Sequence, residues 1–187
     1  LKSKKIGKIK YIKFQRQNFG PIRNDVNAFA DLATHDLSIL KYLLNSDIKL
    51  KNYIRHNILK ENSGDIVSAT FSVKKIPIDI NVSWLNPEKV RKITIITNKK
   101  MILFDEMNLT KPIQIFDNYA NYPKISKFTK SYFSKKAFVY KGKCKYIKLK
   151  DRKSLDNEIL DFINNKKYIS DINFASEIIK ISNKIIN

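Results

Sequence analysis

The sequence predicts an α+β fold: an open-faced, predominantly antiparallel sheet with helices packed on one face. Three observations carry this expectation. Between residues 48 and 117, short β-branched and aromatic runs follow one another, and the connections "ENSG", "KKIP", "NPEK" and "NK" are too short for crossovers. A single helical apolar pattern precedes them, and two more close the chain.

Residues 6–18, "IGKIKYIKFQRQN", mix β-branched and aromatic residues with Lys and read as a strand. "FGPIRND", 19–25, is a loop broken by Gly20 and Pro21. From Asn27 to Leu44 the spacing turns helical, with Leu32, Ile39, Leu40 and Leu43 as the expected face and Asn45 and Ser46 as the stop. Strands are expected at 48–59, 65–73, 78–85, 91–98 and 100–106, with a further one at 111–117. Residues 118–142 are irregular and interleave Tyr119, Tyr122, Phe128, Tyr132, Phe133, Phe138 and Tyr140 with Lys. Such a stretch can serve as a single-strand nucleic-acid surface. The favoured reading is a long loop with its aromatics folded onto the sheet. "KCKYIKLK", 143–150, reads as a last strand. Helices follow at 154–165, with Ser154 as N-cap, and at 171–186, with Phe174, Ile178, Ile181 and Ile185 on one face.

The length of 187 residues suits one domain, and 43% hydrophobic residues suit a packed core. No apolar run approaches the ~18–20 residues that span a bilayer. No signal peptide is visible, and Cys144 stands alone, so a cytoplasmic setting without internal disulfides is expected. The formal charge of +20 suggests an anionic partner. However, the chain holds 32 Lys, 29 Ile and 19 Asn against five Arg. All three abundant types have A/T-rich codons, so drift in an A/T-rich genome explains the excess. Phosphate and base recognition favours the planar fork of Arg, so nucleic acid is not the expected partner.

Four separated glycines exclude two phosphate cradles: the dinucleotide fingerprint, which needs three glycines within six positions, and the P-loop. One Cys and two His cannot build a four-ligand zinc site, and no nucleophile elbow is present. No metal is expected.

Asp31 and His35 stand at i and i+4 of the first helical segment, so they share a face. A carboxylate beside an imidazole can orient it for proton transfer. The same spacing also describes a helix cap beside a hydrogen-bonded histidine.

The wider context favours the first reading. "RQNFGPIRNDVNAFADLATHDLSILKYLL" resembles the start of the C-terminal domain of the glucose–fructose oxidoreductase, inositol dehydrogenase and rhizopine-catabolism (Gfo/Idh/MocA) superfamily. The resembling feature is Asp, three residues, His, at the head of a helix after a Gly-Pro-x-Arg loop. "SWLNPEKVRKITIITNKKMILFDE", 83–106, is similar to a block of its sugar-nucleotide 3-dehydrogenases, and 154–181 to its closing helix pair, with Asp171 after a Lys-rich turn. The resemblance runs from about Gly7 to Ile181.

The resemblance implies an oxidoreductase in which a sugar hydroxyl loses a proton while hydride passes to NAD or NADP. It implies that residues 1–187 are the substrate-binding and oligomerisation half. The dinucleotide-binding Rossmann half is then absent from the chain, which agrees with the initial Leu1 and the missing fingerprint. The family's Glu-Lys-Pro motif belongs to that half; "PEKV", 87–90, is not it. Carried over by position, His35 is the candidate acid/base and Asp31 its neighbour. Arg16, Asn18, Arg23 and Asn27 flank them and would bind sugar hydroxyls or phosphate, with loop hydrogen bonding as the alternative role. Lys89 and Arg91 match the second block and could equally support the sheet or a subunit contact. Trp84 is expected in core or interface, and His56 has no role. The chain alone is expected to be inactive, and a homo-oligomer is expected through the open sheet face. Two rival readings are a stand-alone, non-catalytic domain that binds a sugar or a partner, and a basic nucleic-acid-binding protein.

Overall fold

The computed structural model describes residues 5–121, 137–148, 159–160, 163–164 and 171–186. The strands are β1 (Ile9–Phe19), β2 (Lys49–His56), β3 (Ile66–Val73), β4 (Ile76–Ser83), β5 (Leu85–Thr97), β6 (Met101–Asp105) and β7 (Ile113–Phe116). β8 (Tyr119–Asn121), β9 (Phe138–Tyr140) and β10 (Cys144–Ile147) follow. Eight strands form one sheet in the order β10-β7-β6-β5-β1-β4-β3-β2, while β8 and β9 pair apart from it. Every pairing in the large sheet is antiparallel except the central one, β1 with β4. The fold is therefore the expected α+β.

Period-2 alternation makes the sheet two-faced. In β3, Val67, Ala69, Phe71 and Val73 are buried. They register with Ile78, Ile80 and Val82 of β4, which in turn align with Ile12 and Phe14 of β1 and Ile93 and Ile95 of β5. This face receives the helices. A π-helical turn, Phe29–Ala33, leads directly into α1 (Thr34–Leu44). The buried face is Phe29, Ala33, Leu37 and Leu40. Of the expected Leu32, Ile39, Leu40 and Leu43, only Leu40 lies on it; the wider π turn brings Phe29 and Ala33, rather than Leu32, in line with Leu37 and Leu40. Leu32 and Ile39 pack only at the core's margin. Asn45, in the left-handed region at φ 42°, closes α1 by donating its amide to the Lys41 carbonyl at 2.8 Å. Each fully buried Leu, Ile or Phe contributes about 1.5–3 kcal/mol to this core.

The last helix, α2 (Ile172–Ile186), meets its expectation. Asp171 caps it, with Oδ1 accepting the Phe174 amide at 2.9 Å. Ile178 and Ile185 are buried, and Phe174 and Ile181 pack against the same core. The helix expected at 154–165, with its Ser154 cap, lies largely outside the described residues.

Two expectations change. "NPEK" is not a turn: residues 86–89 belong to β5 and bulge out opposite Asn18, between the pairs Gln17–Val90 and Phe19–Leu85. Of the described aromatics of 118–142, two are not buried against the large sheet, while Tyr119 is half-buried. Phe138 and Tyr140 are exposed on the separate β8–β9 hairpin. Tyr122, Phe128, Tyr132 and Phe133 lie outside the described residues. No helix among the described residues is long and apolar enough to cross a membrane.

Candidate active site

The site forms where β1 ends and the π turn begins. Asn27 is buried and organises that start. Its Oδ1 accepts the Ala30 amide at 2.9 Å, its carbonyl accepts the Asp31 amide at 3.1 Å, and the next amide, Ala28, reaches the Gly64 carbonyl at 3.1 Å. Gly64 makes this approach possible. It sits at φ 57°, and a Cβ there would lie 2.8 Å from the Asn27 Cβ. The loop carrying Gly64 is held by Asp65. The Asp65 Oδ2 accepts the amides of Ile58 and Leu59 and the Ser63 hydroxyl. Burial works to raise the Asp65 pKa, but these hydrogen bonds prevail and hold it below the usual carboxylate range.

Asp31 is anchored on both oxygens. The fully buried Trp84 donates its indole N–H to Oδ2 at 2.9 Å, and Arg23 approaches Oδ1 at 3.4 Å. Trp84 is thus a core residue with one polar task. His35 lies in the first turn of α1 and is exposed. Among the described residues no hydrogen bond joins Asp31 to His35; the Asp31 carboxylate faces the indole instead. Arg23 also forks onto Asp25. Asn18 donates its side-chain amide to the Gly20 carbonyl.

Arg16 points inward from β1, in register with Arg91 of β5. Its Nε and Nη2 both reach Asp36 Oδ1, at 3.1 and 3.0 Å. Arg91 holds Glu106 at 2.8 Å, and Glu106 lies 3.9 Å from Arg16, so Asp36, Arg16, Glu106 and Arg91 form a continuous charged chain. Asp36 is 2% exposed and Arg16 8%. Burial raises the Asp36 pKa, against the pull of Arg16, with a smaller lowering from His35. Asp36 Oδ2 and Arg91 Nε are buried without a partner among the described residues.

The structure brings Asp31, Arg23, Asn27, His35 and Arg16 into one neighbourhood. Arg16 and Asn27 are already committed to internal partners, and Arg23 is half exposed. Asp36 and Glu106 went unseen in the sequence. Asp36 carried a signal: it stands within the helix's inward face, and a charge there needs a partner. Glu106 carried none. Among the described residues, no group of three or more His, Cys, Asp or Glu could hold a metal ion.

No family model and no curated protein matches the sequence. Solved structures do match. UDP-N-acetylglucosamine 3-dehydrogenase GnnA from Acidithiobacillus ferrooxidans superposes with a TM-score of 0.71 at 17% identity, over 96% of this chain and 53% of that one. The fold is theirs. A dehydrogenase (MviM) from Clostridium difficile gives 0.66 at 16% identity, over 97% and 55%. Levoglucosan dehydrogenase, solved in complex with NADH and L-sorbose, gives 0.68 at 10%, over 98% and 57%. The chain thus spans about half the length of these oxidoreductases.

Proposed function

We propose that the chain is the substrate-binding half of an NAD(P)-dependent oxidoreductase acting on a sugar or sugar-nucleotide hydroxyl. The observation that carries this reading is His35. It is exposed on the first turn of α1, in a fold matching the two sugar-acting dehydrogenases named above over at least 96% of this chain.

The described residues do not fit a dinucleotide. Gly7, Gly20 and Gly64 are scattered, and none opens a helix where amides could cradle a pyrophosphate. The cofactor is therefore held by a part of the protein outside this chain, a reading that the half-length coverage supports. When bound, nicotinamide supplies the hydride acceptor.

The chain's own residues position the substrate and accept its proton. His35 takes the proton of the sugar hydroxyl on a ring nitrogen. Trp84 and Arg23 fix the Asp31 carboxylate at the head of the same helix. Arg23, on the loop, and Asn18, near the end of β1, bind sugar hydroxyls or phosphate. Arg16 and Asn27 act from behind, holding β1 and the π turn in place.

In the full-length enzyme, assayed with NAD and NADP against a sugar-nucleotide panel, His35→Gln should cut turnover about 10²–10⁴-fold with the fold intact. Turnover within a few-fold of wild type would remove His35 from the role. The open sheet face is proposed as the contact between subunits; light scattering of the full-length protein should show an oligomer, and a monomer would refute that.

A further inference from the structure

We propose that the sheet end opposite Asp31 and His35 binds a single-stranded nucleic acid, with lysines on its phosphates and the β8–β9 tyrosines on its bases. β1 runs from that end to Arg16, a span of about 23 Å at ~3.3 Å per residue, so this surface is separate from the candidate active site.

Two hollows open there. One, of about 390 Å³, is lined by four lysines, Lys49, Lys51, Lys74 and Lys75, against one carboxylate, Asp47, with Ser46 and Ser72. The other, of about 690 Å³, is lined by Lys5, Lys99, Lys100, Tyr119 and Tyr140, with Asp117 and two asparagines. The parallel register of β1 with β4 and the antiparallel register of β1 with β5 put the β3–β4 and β5–β6 turns at the same end. Three strand spacings separate those turns, about 15 Å. Among the described residues, Lys49, Lys51, Lys74, Lys75 and Lys99 form no ion pair. Lys100 is paired with Asp117. Gly7 supplies a close approach: at φ 91° it packs where a Cβ would meet Asn98 Oδ1 at 2.5 Å, which brings Lys5 beside the β5–β6 turn.

Codon drift explains how many lysines the chain has, not where they sit. Lys74 and Lys75 form the two-residue β3–β4 turn with φ 49° and 67°. That turn favours Asn or Gly at both positions, and a lysine there carries a steric cost. Drift toward A/T-rich codons would supply Asn as readily as Lys. Among the described residues, the other non-glycine positions with positive φ, Asn45 and Asn62, are both Asn. Lysine is kept only at the turn bordering the basic hollow, and strain retained on an exposed turn marks a functional position. The second hollow decides the ligand. Tyr119 and Tyr140 lie with ring centroids 5.1 Å apart, and Tyr140 is 52% exposed. An exposed aromatic pair beside ammonium groups suits stacked bases on a phosphodiester backbone.

The test is a salt titration of the full-length protein against a fluorescein-labelled oligothymidylate of about 12 nucleotides, read by anisotropy. Lys74→Asn/Lys75→Asn relieves the turn while removing two charges. It should weaken binding and flatten the slope of log K against log salt by about 1.4, at ~0.7 per phosphate contact. Lys180→Gln/Lys184→Gln removes two exposed charges from α2 and should leave the slope unchanged. Tyr140→Leu should weaken binding about tenfold with the slope unchanged. Absence of wild-type binding would overturn the proposal, as would equal loss from the α2 pair, which is diffuse attraction only. Wild-type affinity of Tyr140→Leu together with equally tight inorganic polyphosphate would also overturn it, because the site would then take a phosphate chain without bases.

Discussion

Replacing Arg16 by Leu isolates one charge in the core. The substitution keeps the stem that packs beside Phe14 and removes the guanidinium, leaving the Asp36 carboxylate buried and alone. Its side chain is 3% exposed, and Oδ2 already lacks a partner, so little water can reach it. Breaking a buried pair from one side costs about 3–5 kcal/mol. With a urea slope of ~2 kcal/mol/M, the unfolding midpoint at pH 7 should fall by about 2 M. The cost should depend on pH. In the native protein burial already raises the Asp36 pKa, and Arg16 opposes that rise. Without Arg16 the folded-state pKa climbs further above the unfolded value. A carboxyl of that kind binds its proton more tightly when folded. Its stabilising share is fully present below the unfolded pKa and is lost as pH rises through the folded one. The Arg16→Leu protein should therefore regain stability on acidification from pH 7 toward pH 5, and Arg16→Leu/Asp36→Leu should recover most of the loss at pH 7. Urea titrations at the two pH values check this. A midpoint shift below about 0.5 M at pH 7, or a loss independent of pH, would refute the account of an isolated buried charge.

Gly64→Ala should destabilise the protein by about 1–2 kcal/mol and lower Tm by about 2–8 °C in calorimetry, because φ 57° is strained for Ala and the new Cβ meets Asn27. Tyr11, on the open sheet face, has its pKa pushed up to about 12 by burial and by its hydrogen bond to Asp79. Asp79→Asn should lower it toward 10, read as phenolate absorbance in a spectrophotometric titration. Since the folded Tyr11 holds its proton longer than the unfolded one, that share of stability is present below pH 10 and lost as pH rises through about 12.

Local period made the sheet legible. From Val67 on, "VSATFSV" alternates apolar with small polar residues, and each of those apolar residues is buried. The Phe174, Ile178, Ile181 and Ile185 stripe of α2 was readable for the same reason. What failed depended on partners distant in sequence. Of the face expected on the first helical segment only Leu40 is buried; the π turn ahead of α1 changes the residue count per turn, and no local composition announces one. Asn86–Lys89 looks like a turn, yet pairing with β1 carries it within a strand. At the site, the Asp31–His35 spacing was visible. That Asp31 would spend an oxygen on Trp84, 53 residues away, was not. Nor was the Arg16–Asp36 pair, whose members sit on different elements.

The central place of β1 has a consequence for the order in which the chain folds. Ile12 has Ile78 on one side and Ile95 on the other, so neither neighbour exists while the first third of this sequence is being synthesised. The β2–β3–β4 hairpins close over short loops and can form early. β1 must wait for β4 to gain its first partner and for β5 to gain its second. Sheets assembled from such distant pairs fold slowly, and exposed apolar strands aggregate in the interval. The lysines at 10 and 13, alternating with those apolar residues, keep that waiting strand charged and discourage pairing with the wrong edge.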